Sequence, residues 1–275
     1  MTDRPVVAEI EREYILSLLE SGRRIDGRAF DEFREIKIKL NYVPKAEGSA
    51  YVTLGKTKVI AGVKAVVGTP FPDTPNEGVI LVGAERSPIA SPDFETGPPD
   101  PETIELARVT DRIIRESKFI EPESLVLVPG EKVWTLFIDL YALDHDGNLF
   151  DAASIAAISA LASAKIPRAI IKEDGTVELD PDDLQPLKYT HIPASVTTVK
   201  IGEHHVVDPT LKEERVSSAR LTVGYKDLNT IVSAQKGENG VFKFKEVLEI
   251  VRKGAVIADH VRSVIKEALN NYESE

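Results

Sequence analysis

A chain of 275 residues with 42% hydrophobic and 29% charged side chains can bury roughly three-quarters of its unfolded surface, which excludes a disordered or fibrous protein. It has no cysteine, so disulfides, thiolate-held zinc and thiol catalysis are excluded, and no apolar run approaches the ~20 residues that span a bilayer. The formal net charge of −11 opposes nucleic acid only at long range, because with a Debye length of ~8 Å a local basic stripe acts independently of distant acids.

The acidic N-terminus, with Asp3, Glu9, Glu11 and Glu13, lacks the basic-then-apolar plan of a signal peptide, which predicts a cytoplasmic protein with no membrane partner. Residues 7–20 then carry Ile10, Tyr14, Ile15, Leu18 and Leu19 at helical spacing, and Gly22 ends the helix. The following Arg23-Arg24-Ile25-Asp26-Gly27-Arg28 reads as a basic turn of solvated charges. Apolar or alternating β-rich segments predict strands at Phe33–Leu40, Ser49–Leu54, Thr57–Val67 and Gly78–Glu85, with a hairpin across Gly55-Lys56. Residues 68–76 and 87–101 are dense in Pro, Gly and Asp and predict long surface loops.

From Asp100 to Lys118 the pattern is helical. Asp100 suits the N-cap, Pro101 the first turn, and Glu102 the positive end of the helix dipole. Leu106, Val109, Thr110, Ile113 and Ser117 share one face, while Arg108, Arg112 and Arg115 lie within about 60° of one another on the other. Three guanidinium groups spread along roughly 10 Å of axis form a ladder that can follow a strand of phosphates. The plainer reading is a solvated face with (i, i+4) pairs Asp111–Arg115 and Arg112–Glu116.

A hairpin across Pro129-Gly130 leads through the strand Val133–Tyr141 to the turn Asp144-His145-Asp146-Gly147-Asn148-Leu149-Phe150-Asp151. The run Ala152–Ala164 holds only Ala, Ser, Ile and Leu and predicts a helix buried on most sides. A glycine turn at a helix start can hold an anion, but Leu149, Phe150 and Asp151 offer neither the hydroxyl nor the cation such a site needs. After Pro167, short strands are predicted at 169–172, 177–179, 195–200, 206–207, 219–224 and 230–234, before a last helix from Phe244 to about Tyr272. Strands followed by a helix in each half predict an α+β fold with mixed sheets, packed helices and an approximate internal β/α repeat. His204 and His205 with Asp208 make a poor metal site, since neighbours in a strand point to opposite faces, so no metal and no cofactor is predicted.

Several motifs together carry a resemblance. Arg24-x-Asp26-Gly27-Arg28, Glu47-Gly48-Ser49-Ala50, Leu54-Gly55-Lys56-Thr57 and Asp146-Gly147 before an Ala-rich helix resemble the RNase PH family of phosphorolytic exoribonucleases. Asp73–Gly78, Phe94–Asp100 and Ile104-Glu105-Leu106-Ala107-Arg108 are similar to one branch, the non-catalytic RNase PH-like ring subunits of the archaeal exosome. The resemblance covers about residues 20–265 and implies a single RNase PH-like domain over 1–275, its core at about 24–272.

The resemblance also implies where catalysis would sit. Catalytic members read Asp-Gly-Gly-Ser/Thr-Arg in the glycine turn and bind phosphate there, whereas this chain continues from Gly147 with Asn148, Leu149 and Phe150. They carry paired arginines where this chain has Pro101 and Glu102, and an acidic pair six apart where it has Glu214 and Arg220. A carboxylate needed for acid–base or metal chemistry is therefore replaced by a cation. The resemblance thus implies a subunit with no catalytic residue of its own. Such subunits alternate with a catalytic RNase PH-like sister in a ring of three heterodimers, joined by RNA-binding cap proteins and acting on single-stranded RNA. Arg108 and Arg112, and less strongly Arg115, match positions from which this subunit type reaches RNA. A self-sufficient divergent exoribonuclease and a purely architectural subunit are the alternatives.

Overall fold

The helix made only of Ala, Ser, Ile and Leu is the element on which the rest of the chain packs. In the computed structural model, which describes residues 9–173 and 175–273, it runs from Leu149 to Ala162 (α3), and every residue from Leu149 to Leu161 is buried. Small side chains let neighbours come close: a Cβ on Gly48 would stand 2.2 Å from the Ala160 carbonyl oxygen. One side of α3 meets four strands of a six-stranded sheet, and another meets a strand of a four-stranded sheet.

The first sheet holds β1 (Ile36–Leu40), β2 (Gly48–Leu54), β3 (Thr57–Gly68), β4 (Val79–Arg86), β5 (Val126–Val128) and β6 (Lys132–Asp144), in the order β1-β2-β3-β6-β4 with β5 paired to β6. All pairings are antiparallel except β4 with β6. A parallel pair needs a crossover, and α2 (Pro101–Glu116) lies within it, packed against β4 and α3. Alternation decides the faces: Val59, Ala61 and Val63 of β3 and Leu136, Ile138 and Leu140 of β6 are buried on the side that carries the helices.

The second half contains a two-stranded ribbon, β7 (Lys165–Ile171) with β8 (Val177–Pro186), and a four-stranded antiparallel sheet. Its strands β9 (Ala194–Ile201), β10 (His204–Val207), β11 (Ala219–Tyr225) and β12 (Ile231–Gly237) run in the order β10-β9-β11-β12. A 30-residue helix, α5 (Phe244–Glu273), packs on β9, β11 and β1. The N-terminal α1 (Glu9–Glu20) places Ile15 and Leu19 against Val199, Ile201 and Val206. Its predicted first residues, 7 and 8, lie outside the described residues. None of the described helices is long and apolar enough to cross a membrane.

The strands expected at 169–172 and 177–179 lengthen to Lys165–Ile171 and Val177–Pro186 by pairing with each other, and three further local outcomes differ from the sequence expectation. β1 starts at Ile36 rather than Phe33, because the Arg34 backbone N–H donates to the Asp208 carboxylate (2.8 Å) and leaves the ladder. A six-residue helix, α4 (Leu211–Val216), was not predicted; its Thr210/Glu213 capping box holds a segment too short to show apolar periodicity. In the basic turn at Arg23–Arg28, Arg23 is exposed as expected, but Arg24 and Arg28 are not solvated charges. Arg24 is 3% exposed and donates to Glu213 through Nε (2.9 Å) and Nη2 (2.7 Å), and to the carbonyls of Val207 and Asp208 (2.9 Å each). Arg28 pairs with Asp26 (2.7 Å) and Asp208 (2.9 Å).

Candidate functional site: a self-filled anion cleft and an arginine face

The turn between β6 and α3 is tied down from several directions. Thr57 Oγ1 donates to the Gly147 carbonyl (2.6 Å) and accepts from the Asp146 N–H (3.1 Å). Arg34 donates to the carbonyls of Asp146 (2.8 Å) and Gly147 (3.1 Å), and grips Asp208 through Nε (2.9 Å) and Nη2 (2.7 Å). Gly147 has φ +91°, and a Cβ there would lie 2.5 Å from the backbone of Pro209 and Leu211, so the motif glycine is a steric necessity. Asn148, at φ 55°, is the N-cap of α3, and its side-chain amide donates to Asp151 (2.9 Å) and Asp208 (2.7 Å).

The first turn of α3 is therefore well prepared to receive an anion, and the protein supplies its own. The Asn148 N–H donates to the Glu214 carboxylate at 2.7 Å, where a bound oxyanion would otherwise be held. Glu214 is carried in by α4, the helix that the sequence reading missed. Burial pushes its carboxyl up to about 7. Burial, with Arg86 and Arg215 nearby, pushes His145 down to about 4, so the two groups, 4.0 Å apart, do not form a strong ion pair near neutral pH.

Leu149 and Phe150 fill the space beside this turn, as their types foretold, and line a cleft of about 290 Å³. Its three arginines are already engaged. Arg220 lies over the Phe150 ring (3.9 Å) and pairs with Glu105 of α2 (2.7 Å). Arg86 is bound by Asp100 and Glu102 and lies over Phe94 (4.5 Å), and Arg215 pairs with Asp93 (2.6 Å). The cleft has the walls of an anion site, with its three arginines paired from within, while the buried Arg220 Nε and His145 Nδ1 have no hydrogen-bond partner among the described residues.

A pH consequence follows from Glu214. A carboxyl whose folded-state pKa lies above its ordinary value stabilises the fold below that ordinary value, and this contribution is lost as pH rises through about 7. Glu214→Gln keeps an acceptor for the Asn148 N–H but cannot ionise. The variant is expected to match the wild type in melting temperature near pH 5 and to exceed it near pH 8; parallel curves would contradict the assignment.

The arginine face begins two residues beyond the cleft lining, on the opposite side of α2, since Leu106 lines the cleft and Arg108 lies about 200° round the helix from it. The structure brings Arg108, Arg112 and Arg115 together on the outer side of α2, opposite buried Leu106, Val109 and Ile113. They are not equivalent. The Arg108 side chain is 67% exposed, with Asp111 only at 4.0 Å. Arg112 is half-buried and reaches Gln235 of β12 at 3.5 Å. Arg115 is gripped by both oxygens of Asp111 (2.9 and 2.8 Å), which raises its pKa further. Two rungs are available to a ligand and the third is chelated.

Asp151, completely buried, does more than bring a negative charge to the turn. It accepts from Ser195 (2.6 Å), the Thr197 N–H (2.8 Å) and Asn148, so it joins α3 to β9. Only the unusual acid at the head of an apolar run signals this in the sequence. His204 and His205 diverge as adjacent strand residues must: His204 packs edge-on to Phe30 and His205 against Phe242, while Asp208 serves Arg28 and Arg34.

Known proteins resemble this chain in sequence and fold. Two domain descriptions of the 3′ exoribonuclease family match the chain: RNase PH domain 1 over residues 32–167 and domain 2 over 191–255. The exosome complex component Rrp42 of Thermococcus kodakarensis is 50% identical over 273 residues, covering 98% of this chain and 100% of that protein. Its counterpart from Thermococcus gammatolerans is 48% identical, covering 98% and 99%. A chain of the Archaeoglobus fulgidus exosome with RNA bound to the active site superposes with a TM-score of 0.86 at 44% identity, over 93% of this chain and 97% of that one. With both domain descriptions matched, near-full-length similarity and a shared fold, the chain belongs to the RNase PH family of 3′ exoribonucleases, as its motifs had indicated.

Proposed function

We propose that this chain is a ring subunit of an archaeal exosome that has lost its own phosphorolytic chemistry and serves by completing a catalytic sister's RNA path. The relatives named as exosome components support the assembly. One observation carries the loss of chemistry: the helix-start N–H that would hold attacking phosphate is occupied by the Glu214 carboxylate. The pairing of Arg220 with Glu105 supports it, because the cation standing at an acid position is spent on an internal bridge. A main core cluster that includes residues of both family segments supports reading the chain as one RNase PH-like domain.

In this reading Arg108 and Arg112 contact RNA phosphates, and Arg115 acts mainly through Asp111. The substrate is single-stranded RNA, shortened from its 3′ end at the sister's site, with cap proteins on the ring. A chain without cysteine suits the cytoplasm. The test is a phosphate-dependent RNA-shortening assay on the purified chain, on the sister and on the two together. The expected outcome is no activity from this chain alone and higher activity from the pair than from the sister. Robust activity from the isolated chain would restore the reading of a self-sufficient enzyme.

A further inference from the structure

Glu105 and Arg112 are seven residues apart on α2, two helical turns, so they lie within about 20° of one another around the helix. Gln235 of β12 bridges the interval between them. Its Nε2 donates to Glu105 Oε1 (3.0 Å), and its Oε1 accepts from Arg112 Nη1 (3.5 Å). An ionised carboxylate only accepts and a guanidinium only donates, so a single orientation of the amide serves both, and its carbonyl oxygen must face Arg112. Glu105 Oε1 also accepts from Arg220 Nη2 (2.7 Å). Four side chains thus form one line, Arg220–Glu105–Gln235–Arg112, that starts in the cleft and ends on the arginine face.

The cleft end of the line is fixed. The Arg220 guanidinium lies over the Phe150 ring and beside Gly237, which stands opposite it across the β11–β12 ladder. A Cβ on Gly237 would lie 2.5 Å from Nη2 and 2.8 Å from Cζ, so the glycine leaves the space that the guanidinium occupies. The Arg220 side chain is only 12% exposed, so water competes little for its bond to Glu105. Thr222 faces Gln235 across the same ladder, which puts Gln235 on the Arg220 side of the sheet. The other end is aimed rather than held. At 3.5 Å the contact to Arg112 is long, and the amide brings no charge, so Arg112 keeps its own for a phosphate. Arg115, gripped by both oxygens of Asp111, does not. Arg220 also neutralises Glu105, which would otherwise be an uncompensated anion beside Arg112.

We propose that Arg220 and Gln235 are positioning residues for RNA binding. Arg220 fixes and neutralises Glu105, Glu105 orients the Gln235 amide, and the amide oxygen aims Arg112 at an RNA phosphate. The side chain that stands at an acid position of the family therefore acts through the RNA path and not on a reacting atom. A guanidinium already aimed gives up less side-chain freedom when it meets a phosphate than one that swings in solvent, and that saving is where the affinity comes from. The inference rests on the reading of Arg112 as an RNA contact and names what holds it ready.

The test is a double-mutant cycle on single-stranded RNA affinity, measured by anisotropy across a salt series on the complex assembled with the catalytic RNase PH-like subunit. Gln235→Met keeps the bulk of the side chain and removes both hydrogen bonds. It is expected to weaken binding about threefold to tenfold, with the slope of log affinity against log salt unchanged because no charge is lost. Once Arg112 is Ala, the same substitution should have no effect, whereas in an Arg108→Ala background it should cost the same factor as in the wild type. Arg220→Met is expected to show the same dependence on Arg112, and Arg220→Lys, which keeps a cation beside Glu105, to retain most of the affinity. A loss that persists beside Arg112→Ala is structural and overturns the positioning role. Wild-type affinity in Gln235→Met and Arg220→Met, with Arg112→Ala alone binding weakly, overturns it too and leaves the RNA contact standing. Unchanged affinity in Arg112→Ala overturns the contact itself and the positioning with it.

Discussion

Glu213→Ala is expected to destabilise the fold by about 3–5 kcal/mol, the usual cost of removing one partner from a buried ion pair. Both side chains are fully buried, and Arg24 approaches Glu213 with two nitrogens, so the substitution strands a guanidinium that water cannot reach. The same change removes half of the capping box of α4, because Glu213 also accepts from the Thr210 N–H at 2.8 Å. The loss is a consequence of stranding a charge, not a measure of what the pair adds. Replacing both residues at once, as Arg24→Met with Glu213→Leu, is therefore expected to recover much of it. Chemical denaturation of the single and double variants checks this; a single-variant cost below about 1 kcal/mol would mean that Arg24 is solvated after all.

Reversing Arg108 and Arg112 together to Glu is expected to weaken RNA binding by the assembled complex roughly tenfold or more near 0.1 M salt, with no loss of assembly. Each lost phosphate contact removes about 0.7 from the slope of log affinity against log salt for a single strand, so the pair should flatten it by about 1.4. The weakening should be the same for different RNA sequences, since phosphate contacts carry no base information. Arg115→Glu is expected to do less, because Asp111 already occupies that guanidinium. Anisotropy titrations across a salt series distinguish these outcomes, and an unchanged affinity in the double variant would leave a purely architectural subunit.

The walls of the self-filled cleft persist because Gly147, Asn148, Arg34 and Asp208 hold the α3 start and the loop before α4 together.

Much of the molecule was legible in order along the chain. The buried α3, the α2 helix with its Asp100 cap, and the grouping of three arginines on one face all follow from interactions within a few residues of one another, which periodicity and caps report directly. The absence of donors at Leu149 and Phe150 was also plain, as was the resemblance to a family through ordered motifs. What the tertiary structure alone decided concerns pairs far apart in sequence. Glu214 reaches Asn148 across 66 residues, and Arg24 meets Glu213 across 189. A pattern-based reading sees an arginine or a glutamate, but whether its charge is solvated, buried or spent depends on which partner the fold brings within about 3 Å.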